Sequence, residues 1–374
     1  MEVLAHEAAL LGEGGHEVRE FSLPPTDQLG LSPVRAGAKA VWNVEACREV
    51  ERQIRGFRPD VVHVHTPFPL LSPAVFRTAK RLGVPTVTTL HSYRYSCIAA
   101  TCFRDGAVCE DCVGKRVKLP GLRHRCYHDS VGASAALTVS LAVHRGVGTF
   151  HQSVDRFLAL TGFSRQLLIR DGIPAEKVVV KPNSVPDPGV AAGERSGVPY
   201  VTFAGRLLDI KGVQTMLDAW ERADHGDLQL RIAGDGPMRQ LVQERCQRDP
   251  SISCLGWLDE NAVFELMAGA QAVLVPSLWY EGLPLVMLRS LAVGTPVIAS
   301  DLDNISAELL EDDAGEAFAV GDPAALAATL TGLAHDPKRW ERRRVHARRS
   351  YDQRYSPTAD LHRLQAVYAE VTGS

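Results

Sequence analysis

The stretch Pro276–Asp301 reads PSLWYEGLPLVMLRSLAVGTPVIASD and follows directly on an apolar run, Ala272–Val275. The run is short and continuous, the pattern of a buried strand. Ser277–Glu281 is polar and aromatic, as a loop is. Leu285, Leu288, Leu291 and Ala292 then recur at helical spacing. Gly294 and Pro296 stop that helix, and Val297–Ala299 is a second apolar strand ending at Ser300 and Asp301. Strand, loop, helix and strand make a βαβ unit. Its loop, with the single carboxylate Glu281 just before Gly282, falls at the carboxyl edge of a parallel sheet, where open α/β sheets bind ligands. The unpaired N–H groups of the helix start attract anions.

The bulk numbers fit that reading. The 374 residues suggest two or three domains, and 45% apolar with 23% charged residues is ordinary for a globular chain. A net charge of −3 gives no argument for nucleic acid as a partner. No segment reaches the roughly 20 apolar residues that span a bilayer. The opening MEVLAHEAALLGEGG has no basic n-region and no long apolar core, so it does not read as a signal peptide. The expected location is cytoplasmic.

The first half alternates in the same way. Val3–Leu11 is an amphipathic helix, and His16–Phe21 alternates like a strand. A Rossmann-like domain usually opens with a strand and a glycine-rich loop. This sequence opens inside the helix, so that first strand is expected to be absent or the start mis-assigned. Pro24–Ala38 reads as loop and Val44–Gly56 as helix. Asp60–His65 (DVVHVH) and Thr86–Leu90 are strands separated by a helix at Pro73–Leu82. Each strand ends in a histidine, His65 and His91. His91 at that edge is placed for a substrate contact, while His63 and His65 read as core or packing, His65 being the better candidate of the two for the cleft. Arg156–Leu160 and Val178–Val180 are further strands.

Cys97–Cys126 breaks the rhythm. Cys109-Glu-Asp-Cys112 has the spacing of a zinc knuckle, and thiolates favour tetrahedral zinc. Two readings stay open: a structural zinc site of Cys97, Cys109, Cys112 and Cys126, with Cys102 a substitute, or a set of free thiols. Reduced thiols are expected in the cytosol, and Cys47, Cys246 and Cys254 read as core. Lys115, Arg116, Lys118, Arg123, His124 and Arg125 precede the uncharged run Val131–Val143. That composition suits either a solvated loop before a core helix or a peripheral contact with an anionic membrane.

Pro186–Ser196, rich in Pro and Gly, reads as an interdomain linker. The alternation then restarts, with strands at Tyr200–Ala204, Leu228–Ala233 and Ser251–Leu255. Two doubly wound α/β domains facing a cleft are the expected fold: 1–184, carrying the Cys-rich insert, and 185–350, with a final segment 351–374 returning to the first. Gly205-Arg206 and Lys211-Gly212 follow the first strand of the second domain. An Arg fork and a Lys point charge near a helix start make a diphosphate clamp. No acidic pair with metal-ligand spacing stands beside them. Cationic side chains would then stabilise a departing diphosphate without a divalent ion.

FAGRLLDIKG, IAGDGP, LGWLDE and PSLWYEGLPLVML…GTPVIASD, supported by DVVHVHTP and TTLHSY, together resemble the retaining GT-B glycosyltransferases of family 4. The resemblance covers most of the chain. It implies transfer of a sugar from a nucleotide-sugar donor, UDP- or GDP-linked, with retention and with no catalytic metal. The acceptor would be a glycan, a lipid-linked sugar or a natural product. Arg206 and Lys211, with Gly205, would hold the diphosphate. Glu281 would hold donor-sugar hydroxyls, Gly282 and Leu283 would present N–H groups, and His91 would sit by the transferring sugar. The family usually carries a second Glu eight positions after the first to bind the ribose; here that position is Arg289. Arginine has no acceptor, so either that contact is lost or Arg289 reaches a phosphate. A nucleotide-sugar epimerase of the same fold and an inactive binding or scaffold protein are the alternatives.

Overall fold

The computed structural model describes residues 2–24, 28, 30–189 and 197–373. The chain divides into two compact units, 1–182 with 361–374 and 183–360. The final helix, Pro357–Thr372, therefore gives its first residues to the second unit and the rest to the first. That division falls within one helix, not at residue 351. Residues 190–196 of the expected linker lie outside the described residues.

The first unit is built on strands β1 (Val62–Val64), β2 (Thr86–Leu90), β5 (Arg156–Ala159) and β6 (Val178–Val180), with a two-stranded hairpin of β3 (Phe103–Arg104) and β4 (Ala107–Val108) in the Cys-rich insert. The sheet runs β1-β2-β5-β6 and is parallel throughout. Parallel strands are covered on both faces, so each face has its own core. On one, Phe76, Leu137, Leu141, Phe150 and Phe157 are buried together. On the other, Leu11 of the opening helix (Glu2–Glu13) and Leu364 and Val367 of the closing helix pack with Val87 and Leu158.

Two expectations fail here. His16–Phe21 is not a strand: its residues are mostly exposed, so its alternation has no sheet to face. The reading of Pro24–Ala38 as loop misses a helix at Pro33–Val41. Its start is written as Ser32, which caps it, followed by proline at its first position.

The second unit holds β7 (Tyr200–Ala204), β8 (Gln229–Ala233), β9 (Ile252–Gly256), β10 (Ala272–Val275), β11 (Val297–Ser300) and β12 (Gly315–Phe318). Their order is β12-β11-β10-β7-β8-β9, all parallel. The chain winds outward from β7 to β9, then returns to the other side of β7 with β10. That reversal opens a crevice beyond the carboxyl ends of β7 and β10, the place where doubly wound sheets bind ligands. Val201, Met216, Trp220, Leu230, Ile298, Leu330 and Trp340 form the buried core beneath it.

Candidate active site

Three loops meet at this switch point. Gly212, at φ +71°, lies so close to the chain after β10 that a Cβ there would stand 1.8 Å from the Pro276 carbonyl oxygen. Gly234, at φ +143°, is as close to the Gly205 carbonyl. No side chain is tolerated at either approach, which is the physical meaning of glycine in these turns. Leu278 N–H donates to the Ile210 carbonyl at 2.9 Å and Leu207 N–H to Asp235 at 2.9 Å, closing the loops on one another.

The interlock sets the charges. Lys211, at the end of a short turn at Asp209–Lys211, donates to both carboxylate oxygens of Glu281, at 2.8 and 2.7 Å. Ser277 Oγ also donates to that carboxylate, and Asn304 Nδ2 to the Glu281 main-chain carbonyl. The Trp279 ring lies 5.8 Å from the ammonium. Glu281 is buried while Lys211 keeps about a quarter of its side chain exposed, 25%. An ammonium has three donors, so after two bonds to Glu281 one remains for a ligand oxygen. Arg206 stands exposed on the loop after β7, beside Gly205. The helix Leu285–Ala292 starts without a side-chain cap, so its first N–H groups are available to an anion. Gly282 and Leu283 lie just before that start, Leu283 buried.

Of the residues singled out in the sequence, the structure brings Lys211 and Glu281 into contact and sets Arg206, Gly205, Gly282 and Leu283 on the same sheet edge. Arg289 is different. Its guanidinium meets Glu260, at the start of the helix Glu260–Gly269, at 2.7 Å. That ion pair ties one end of the Arg289 guanidinium to Glu260. Sequence inspection missed Glu260, Ser277 and Asn304; only the fold brings them to these partners.

The first unit carries a second constellation at its own carboxyl edge. His65 Nδ1 is 2.8 Å from His91 Nε2, with the rings stacked. His65 Nε2 and His63 Nδ1 lie 3.1 and 3.2 Å from the same oxygen of Glu7, on the opening helix. Neither is an aligned hydrogen bond to that oxygen. Lys181, just past β6 and fully buried, binds the other oxygen at 2.5 Å. His63 also contacts Tyr368 Oη at 2.7 Å and Thr89 Oγ1 at 2.8 Å. Burial pushes His91 down to about 3 and keeps its ring neutral. Burial also lowers His63. In Glu7 burial acts to raise the carboxyl, but the His63 and His65 contacts and the Lys181 charge outweigh it and hold it well below the usual range. His63 is therefore more than packing, and Glu7 and Lys181 were not foreseen.

The ligand atoms of Glu7, His63 and His65 lie within 4.8 Å of one another, as a metal site would require. The residues do not fit a cation, because Lys181 already supplies the positive charge on that carboxylate. The four-thiolate zinc site meets a plainer obstacle. Among the described residues, Cys97, Cys109, Cys112 and Cys126 do not bring three ligand atoms together at that distance. Cys97 pairs instead with Cys102, whose thiol donates to it; that bond outweighs burial and lowers Cys97 to about 6, while Cys102 is raised. Cys246 and Cys254, expected as separate core thiols, form a disulfide between the helix Arg239–Arg248 and β9. Lys118 departs from the basic run as well. It is buried against Asp171 at 2.5 Å and the Cys112 carbonyl at 2.8 Å.

Comparison with known proteins agrees with the geometry. The "Glycosyl transferase 4-like domain" family matches residues 2–184 and the "Glycosyl transferases group 1" family residues 198–336. The chain belongs to the group 1 glycosyltransferases and has the GT-B fold. It is 26% identical to glycogen synthase of Mycobacterium tuberculosis, over 85% of this chain and 69% of that protein. It is 25% identical to a phosphatidyl-myo-inositol mannosyltransferase of Mycolicibacterium smegmatis, over 98% and 89% of the two chains. Among solved structures, a glycosyltransferase from Rickettsia africae superposes with TM-score 0.69 at 14% identity, covering 99% and 94% of the chains. Anabaena HepE in complex with UDP gives TM-score 0.65 at 16% identity, covering 97% and 88%.

Proposed function

We propose that this glycosyltransferase moves a sugar from a UDP- or GDP-linked donor, with retention at the anomeric carbon and without a catalytic metal. The observation that carries the reading is the Lys211–Glu281 pair at the switch point of β7 and β10. Fixed positive charge there suits a diphosphate, with Arg206 as a planar fork and Lys211 as a point charge. N–H groups at Gly282, Leu283 and the uncapped helix start add dipoles aimed at an anion. As the donor bond breaks, negative charge grows on the leaving diphosphate, and preorganised cations at that place lower the barrier. Glu281, held by Lys211 and Ser277, is the carboxylate placed to meet the sugar hydroxyls. His91, neutral, meets the sugar or acceptor as a hydrogen-bonding partner.

The acceptor side is supported by a surface feature of the first unit. Val117, Leu119 and Val131 are exposed beside the exposed Lys115, Arg116, Arg123 and Arg125. Apolar side chains among basic ones suit an anionic lipid surface, which supports a lipid-linked acceptor met at the inner face of the membrane. No helix among the described residues is long and apolar enough to cross a membrane. Flotation with anionic vesicles, and none with neutral ones, is the expected result.

The decisive experiment is a thermal-shift screen against UDP-, GDP- and ADP-sugars, followed by donor turnover with and without chelator. One donor class should raise the melting temperature and release its nucleoside diphosphate at an unchanged rate in chelator. No shift and no turnover with any donor would support a scaffold, and interconversion of donors would support an epimerase.

A further inference from the structure

The contacts around Glu7 determine where the protons of three rings sit. A carboxylate only accepts hydrogen bonds. Glu7 Oε1 stands 3.1 Å from His65 Nε2 without an aligned hydrogen bond; two bare acceptors would repel at that distance, so that nitrogen carries a proton. A neutral imidazole has one N–H, which leaves His65 Nδ1 a bare acceptor. His91 Nε2 is 2.8 Å from that acceptor and must donate to it. The remaining nitrogen of His91, Nδ1, is then an acceptor with a free lone pair. The charges close in the same sense. Glu7 carries −1 and Lys181 +1, both buried, so a further proton on His63, His65 or His91 would be an unpaired buried charge. His63 faces Glu7 and Tyr368 with Nδ1 and Thr89 with Nε2, and it completes the enclosure.

We propose that Glu7 acts through His65 as a positioning residue that locks His91 in the Nε2–H tautomer and presents Nδ1 as a hydrogen-bond acceptor. The ring next to the sheet edge is thereby made to receive a hydroxyl hydrogen, of sugar or acceptor, and never to donate one. Nothing in the sequence spacing announces this: Glu7, His65 and His91 come from a helix and the ends of two strands. The consequence for turnover rests on the transferase reading; the tautomer itself does not.

Long-range proton–nitrogen NMR of the full chain with labelled histidine tests it, His91 being assigned by the loss of its signals in His91→Gln. The wild type should show His91 protonated on Nε2 alone. His65→Phe keeps a ring to stack and removes the acceptor, so both tautomers should appear. Glu7→Gln paired with Lys181→Met avoids leaving a buried charge, and should also release the tautomer and lower kcat about tenfold with little change in donor KM. A wild-type ring protonated on Nδ1 or mixed, or a single tautomer retained in His65→Phe, would overturn the proposal. Failure of the transferase reading has a different signature: the wild type holds the single tautomer and turns over no donor.

Discussion

Both sheets carry a lysine–glutamate pair at the carboxyl edge, and burial gives the two pairs opposite characters. Lys181 and Glu7 are closed off, at 0% and 3% side-chain exposure. Lys211 and Glu281 are held as tightly, yet Lys211 is 25% exposed and has a donor to spare. Out of water, two charges must satisfy each other completely, and breaking either leaves an expensive remainder. At a sheet edge open to solvent, the same pair keeps a ligand site charged and aimed while no ligand is bound. The first pair orders its surroundings, and the second keeps a donor free at the edge, as the proposed diphosphate site requires.

The contrast can be broken at several points. Lys181→Met strands a buried carboxylate, at a cost of about 3–5 kcal/mol and a fall in Tm of roughly 6–20 °C; Lys211→Met should lose about 1 kcal/mol or less. Equal losses by thermal denaturation would erase the distinction. Glu281→Ala should leave the fold intact and lower transfer about a hundredfold, or about 2.7 kcal/mol. Near-normal turnover would remove Glu281 from the site.

Smaller effects sharpen the picture. Arg289→Glu replaces a cation already paired with Glu260, and nucleotide binding by calorimetry should tighten by up to about tenfold if a ribose acceptor is what the site lacks. Unchanged or weaker binding would count against it. In acid, the depressed His91 works against the fold. The unfolded chain takes up a proton near pH 6.5 that the folded ring refuses until about pH 3. Stability is therefore complete above the unfolded value and falls as pH drops from there. Denaturant midpoints of His91→Gln should fall less between pH 7 and pH 5 than those of the wild type, and parallel losses would refute a neutral His91. Metal analysis decides the four-thiolate site of Cys97, Cys109, Cys112 and Cys126: about one zinc per chain supports it, and a metal-free, well-folded sample would sink it.

The places where the sequence misleads share a cause. Lys118 sits in a basic run and still turns inward to Asp171, because a buried carboxylate outweighs its neighbours in sequence. His16–Phe21 alternates but has no sheet to join. Local pattern records what a segment can do alone, and each of these outcomes depends on a partner far along the chain.

The alternation of apolar runs with amphipathic segments was enough to establish two α/β halves and to put Arg206, Lys211 and Glu281 at strand ends, because periodicity and strand polarity are local properties written residue by residue. Only the tertiary structure decided that β10 returns beside β7, so that Lys211 closes on Glu281, that Glu260 engages Arg289, and that Glu7, His65, His91 and Lys181 become one buried network. Those are pairings across long stretches of chain, and their strength comes from water excluded by the finished fold.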